Sequence, residues 1–194
     1  MKKTLLALAA SAAFSAPAFA TVIDFESTGS RADYNDLDYA IDGFLFNATM
    51  DNIDVGANGP WEVNGPAHGG SYAALNNYGG YGEITRADGA AFTFHGLWIK
   101  NWYHQGDAQG SIVGYRNGAV VGAVDLISRS GAWTEVTATF TDIDALRIDL
   151  AAIFLIDDIA LDQAAHDVPE PTSLALFGLG VAGLLSARRT LRKA

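Results

Sequence analysis

The sequence has no cysteine among its 194 residues. That excludes a disulfide scaffold, a thiolate metal site and a cysteine nucleophile. Charge is also scarce: Asp, Glu, Lys and Arg together make up 18%, below the roughly 25% of an average soluble protein. Basic residues are scarcer still, 12 against 22 acidic ones, for a formal net charge of −10. So few Lys and Arg exclude nucleic acid as a partner, because phosphate binding needs a basic surface. HExxH, a Gly-x-Ser-x-Gly elbow and a phosphate-binding loop are all missing. No stretch between Thr21 and Ala165 keeps a helical period. Apolar residues are plentiful at 49%, which excludes a chain disordered throughout. The length fits one domain of ordinary size plus targeting segments.

The charges that are present are segregated. All 22 acidic residues lie between Asp24 and Glu170, and only six basic residues share that interval, so the middle of the chain carries −16. The other basic residues sit at the extreme ends, each beside an apolar run, which is the pattern of membrane targeting. Residues 1–20 read as a signal-peptide helix. Lys2 and Lys3 form its charged region, Leu5 to Phe14 its apolar region, and Ala18-Phe19-Ala20 supplies small residues for cleavage before Thr21. The body is therefore exported, and its lack of cysteine is not imposed by a reducing compartment. Thr172 to Ala187 is 16 residues without a charge. As a helix it would run about 24 Å, against a hydrocarbon core of about 30 Å. It reads as a short transmembrane helix, helped by local thinning and stopped by Arg188, Arg189, Arg192 and Lys193. The basic tail then lies in the cytoplasm and the acidic body outside.

Val168-Pro169-Glu170-Pro171, followed by the apolar Thr172–Ala187 run and the Arg-rich tail, resembles the PEP-CTERM sorting signal. That signal belongs to exported proteins of Gram-negative bacteria that make exopolysaccharide. The resemblance implies recognition of the Pro-Glu-Pro motif by exosortase, a membrane transpeptidase-like enzyme, and cleavage there. It also implies membrane anchorage before processing and a cell-surface or matrix destination afterwards. The motif suits that role physically. Pro169 and Pro171 remove two backbone donors and hold the segment extended, a shape that a processing cleft can accept.

The body, residues 21–164, reads as an all-β, antiparallel, jelly-roll-like β-sandwich of about nine strands. Residues 165–194 hold the linker, the sorting motif, the transmembrane helix and the tail. Asn117-Gly118 between two β-rich runs is the strongest hairpin signal, since both residues must take φ > 0. Thr49 to Gly82 reads as long loops with short strands. The openings Val22–Glu26 and Gly43–Phe46, with the closing Phe154–Leu161, resemble the β-sandwich bodies often attached to this signal. Some of those are similar in layout to carbohydrate-binding jelly rolls. In a jelly roll the first and last strands lie side by side.

That adjacency would bring Asp24 and Glu26 near Asp157 and Asp158. Like charges at close range need a counter-ion, and a structural calcium with oxygen ligands would supply it, as in the jelly rolls this layout resembles. Asp33, Asn35, Asp36 and Asp38 form a second oxygen-rich loop but miss the EF-hand spacing. Trp98, Trp102 and Tyr103 form the carbohydrate candidate, because sugar rings stack their C–H faces on flat aromatic surfaces. By alternation Leu97 and Ile99 share one face of their strand and Trp98 the other. His68-Gly69-Gly70 reads as a loop. Glu62, Glu83 and Glu135 are too scattered to argue a glycosidase pair. The expected function is a non-catalytic exported surface or matrix protein with weak affinity for polysaccharide. The alternatives are a small glycan lyase or hydrolase, and a purely structural matrix component.

Overall fold

The computed structural model describes residues 20–28, 35–47, 49–103 and 105–163. The expected signal helix, Val168 to Pro171, the expected transmembrane helix and the basic residues expected to stop it lie outside them. Among the described residues no helix is long and apolar enough to cross a membrane.

The described residues form twelve strands: β1 (Thr21–Ile23), β2 (Asn35–Asp36), β3 (Phe44–Phe46), β4 (Met50–Asp54), β5 (Tyr72–Asn76), β6 (Gly82–Arg86), β7 (Phe92–Asn101), β8 (Ala108–Arg116), β9 (Ala119–Ser128), β10 (Thr134–Ile143), β11 (Ala145–Asp149) and β12 (Phe154–Gln163). One sheet runs β10-β7-β12-β5-β4-β2, with β1 beside β12; the other runs β3-β6-β11-β8-β9. All the strand pairings are antiparallel. The body is thus a two-sheet antiparallel sandwich. Its first and last strands do pair, from Thr21 opposite Leu161 to Ile23 opposite Ile159. Asn117 and Gly118 join β8 to β9 with φ of 51° and 77°, the left-handed pair that a tight hairpin requires. The strand count exceeds the expected nine because very short pieces such as the two-residue β2 still hydrogen-bond at an edge.

Phe44, Phe92, Phe94, Phe154, Ile84 and Leu146 fill the space between the sheets, each almost wholly buried. Each such side chain contributes about 1.5–3 kcal/mol of transfer free energy. Two strands change phase midway. In β7 Phe92 and Phe94 face this core, and then, after Gly96, Leu97 and Ile99 do. In β12 Phe154 and Ile156 face it, then Ile159 and Leu161, and the register slips between Asp157 and Ala160. Asp158 sits in that bulge with φ 44°. The slip frees two consecutive acids, Asp157 and Asp158, from strict alternation, and both meet the loop on the outer face of the larger sheet.

That outer face is itself covered. Ile53, Val55, Ala67, Ala73, Leu75 and Leu155 make a second apolar cluster, with Trp61, Trp102, Trp133 and Ile153 packed against it. The cover is the segment between β4 and β5, which includes a 3₁₀ turn at Glu62–Asn64.

Candidate functional site

Residues 64–72 form a strap across the larger sheet, and ionisable side chains pin it. Asp157 Oδ2 accepts hydrogen bonds from the amides of His68 (2.9 Å) and Gly69 (3.0 Å), and Oδ1 accepts one from Asp158 N at 2.8 Å. Glu26 Oε1 accepts from the amides of Ser71 (2.7 Å) and Tyr72 (2.6 Å). Lys100 Nζ donates to the carbonyls of Asn64 (2.6 Å) and Pro66 (3.2 Å), and Trp133 Nε1 donates to Pro66 at 3.0 Å. The strap needs its two glycines. At Gly70, φ is 65°, and a Cβ there would overlap the Glu26 carboxylate; at Gly69 a Cβ would press the Asp158 oxygens at 3.3 Å.

The buried ends of these pins are electrostatically costly. Asp157 is fully buried and Lys100 only 2% exposed. Burial pushes the Asp157 carboxyl up to about 7, although its three amide donors pull the other way. Burial pushes the Lys100 ammonium down to about 8, with the charge on Asp157 opposing the fall. Both groups are held near the middle of the pH scale by the apolar cover.

Beside the strap lies an aromatic stack. The His68 ring lies on Trp98, with centroids 3.8 Å apart and planes 14° apart, and meets Trp133 edge-on at 6.1 Å. His68 Nδ1 is 2.5 Å from Asp158 Oδ2. Lys100 Nζ sits 4.6 Å from the Trp133 ring centre. Trp98 in turn walls an open groove of about 460 Å³, whose lining includes Val22, Gly96, Glu135, Thr137, Asp158 and Ala160. Gly96 and Ala160 keep its floor low. Glu135 and Asp158 make it acidic, and the neighbouring His95 is tied to Asp162 at 2.7 Å.

The expected sugar-contact residues do not form one platform. Trp98 is on the outer face opposite Leu97 and Ile99, as alternation requires. Trp102 packs on Trp61, centroids 5.7 Å apart, and helps to close the second apolar cluster. Tyr103 is 40% exposed, with its amide bonded to Asn64 Oδ1. His68, Lys100 and Trp133 belong to the site, and the sequence reading passed over them. One signal was available for Lys100: it follows Trp98 by two in an apolar strand, so alternation puts both on the same face.

Glu26, Asp157 and Asp158 do converge on one loop, whereas Asp24 accepts a local bond from the Glu26 amide at 3.1 Å. The first three are met by backbone amides and by His68. Among the described residues no group of three or more His, Asp or Glu side chains is arranged to hold a metal. The expectation of a structural calcium is checked by thermal melting of the full chain. A rise in Tm of several degrees in millimolar calcium over EDTA supports it, and an unchanged Tm removes it.

Residues 167–192 match the PEP-CTERM protein-sorting motif. The motif is a sorting signal, which implies export to the cell surface and processing by exosortase. No curated protein matches the sequence. Solved structures resemble the chain at low identity. The CBM22-1–GH10 modules of Clostridium thermocellum xylanase 10B, complexed with xylohexaose, give a TM-score of 0.44 at 16% identity, over 76% of this chain and 29% of that one. A xylan-binding domain of CBM 22 gives 0.42 at 11% identity, over 79% and 99%. TmCBM61 in complex with β-1,4-galactotriose gives 0.35 at 16% identity, over 62% and 88%.

Proposed function

We propose, for a chain that carries the PEP-CTERM sorting motif, that the body is a non-catalytic cell-surface or exopolysaccharide-matrix protein that binds glycan weakly through the groove beside Trp98. One observation carries the reading: an indole locked in place by a stacked His68 walls an open trough with a glycine and alanine floor. A fixed ring loses little entropy when a sugar stacks on it. The low floor lets a pyranose ring approach the backbone, and Glu135, Thr137 and Asp158 offer acceptors to its hydroxyls. The trough is open and has a single stacking ring, which suits low affinity. Binding is favoured over hydrolysis because a glycosidase needs a pair of carboxyl groups, and of the two that line the groove Asp158 has one oxygen held by His68.

The reading is tested by electrophoresis of the full chain, in detergent, through gels loaded with soluble polysaccharides. Retardation of the wild type is expected, and Trp98→Ala should weaken it about tenfold, the worth of one stacked aromatic at about 1–1.5 kcal/mol. Equal retardation of both proteins would place binding elsewhere. Release of reducing ends would favour the glycan-active enzyme, and absence of retardation in every gel the structural matrix component.

A further inference from the structure

The opposite face of the sandwich carries a second aromatic surface that the groove does not use. In the five-stranded sheet Leu146 and Ile148 face the core, so Ala145 and Arg147 face outward. Arg147 lies opposite Glu83 on β6, and Ala145 opposite Tyr115 on β8. The Arg147 guanidinium sits 3.9 Å from the Tyr81 ring centre and 5.6 Å from that of Tyr115. Its Nη2 donates to Glu83 Oε2 at 2.9 Å and its Nε at 3.3 Å. An open depression of about 340 Å³ is lined by Glu83, Tyr115, Gly118, Asp144, Ala145 and Arg147. Its rim is held by the Asn117 amide, bonded to Asp144 Oδ2 at 2.6 Å. Tyr81 stays 39% exposed beside it.

We propose that Tyr81, Arg147 and Tyr115 form a second glycan-contact surface, so that one body holds two polysaccharide chains, one on each face. A guanidinium beside two tyrosine rings fixes their orientation before any ligand arrives. Arg147 and Glu83 cancel each other's charge yet keep donors and acceptors side by side, which suits vicinal hydroxyls. Asp144 adds a further acceptor and a negative charge. The ligand class is therefore a neutral, hydroxyl-rich polysaccharide, not a uronic acid polymer. The surface shares no residue with the Trp98 groove, and it extends the glycan-binding reading from one contact to two.

The probes are hydroxyethyl cellulose, dextran and galactomannan, with alginate as the anionic contrast. The full chain in detergent is expected to cluster at least one neutral polymer, seen as a rise in light scattering. Tyr81→Ala with Tyr115→Ala should abolish the clustering and weaken gel retardation only several-fold, because the groove remains. Tyr81→Ala alone, at the more exposed ring, gives the same direction if the double variant melts early. Tyr81→Phe with Tyr115→Phe keeps the stacked rings and should keep the clustering. Clustering unchanged in the Ala variants, clustering of alginate alone, or none with any polymer overturns the proposal. The two readings fail separately. Loss of all retardation in Trp98→Ala overturns the second surface and leaves the groove. Full retardation in Trp98→Ala, lost in the tyrosine variants, does the reverse.

Discussion

Replacing Asp157 by alanine is expected to lower the melting temperature of the full chain by about 10 °C. The carboxylate is fully buried and holds the amides of His68, Gly69 and Asp158. Its removal leaves three donors unsatisfied and takes the counter-charge from buried Lys100. Leaving such buried donors without a partner costs about 1–3 kcal/mol each before the site relaxes, a net loss of about 3 kcal/mol, and in a domain of this size each kcal/mol is worth about 3 °C. Asp157→Asn should be milder, because the amide keeps one acceptor. It also isolates the pH dependence. The folded-state pKa of Asp157 is raised from 3.8 to about 7 by burial. Folding therefore takes up a proton in that window, and stability falls as pH rises from about 4 to about 7. Lys100 is lowered from 10.5 to about 8, so folding releases a proton there and stability recovers as pH rises from about 8 to about 10.5. The Tm of the wild type relative to Asp157→Asn should thus decline between pH 4 and 7. Identical pH profiles for the two proteins would mean that the carboxyl is not the group responsible.

The second large effect concerns address, not stability. Replacing Pro169 and Pro171 with alanine is expected to leave nearly all of the chain unprocessed in the membrane fraction. The match at residues 167–192 identifies the sorting motif. Two prolines in three residues leave it without two amide donors. Alanine restores both donors and removes the bar that proline sets to helical backbone on either side of Glu170. Mass spectrometry of membrane and external fractions reads the outcome. Variant protein found outside the cell at the wild-type mature mass would sink the claim that these prolines govern processing.

Much of the architecture could be read from the chain because it is local or periodic. The Asn117-Gly118 hairpin is a two-residue steric requirement. The pairing of β1 with β12 followed from the layout expected of such sandwiches. The inward facing of Leu97 and Ile99 followed from alternation. The site was harder to read because it depends on departures from alternation. No pattern in Phe154–Gln163 announces that the strand slips at Asp158, yet that slip brings Asp157 and Asp158 to the same loop. Sequence shows the acids but not the strap amides that meet them. A run such as His68-Gly69-Gly70 does not reveal where its N–H groups point. Nearness in sequence groups Trp102 with Trp98, and the fold separates them. The chain reverses after Asn101, which sends Trp102 to cover apolar surface beside Trp61.

The place of β12 in its sheet has a mechanical consequence. The segment leading to the sorting signal leaves from this strand, which bonds β7 along one flank and β5 and then β1 along the other. Tension on a tethered body would therefore load an interior strand in shear, with rows of hydrogen bonds resisting together, whereas an edge strand could be peeled off one bond at a time. Held by that segment, the body would take the pull at the part of its sheet best able to withstand it.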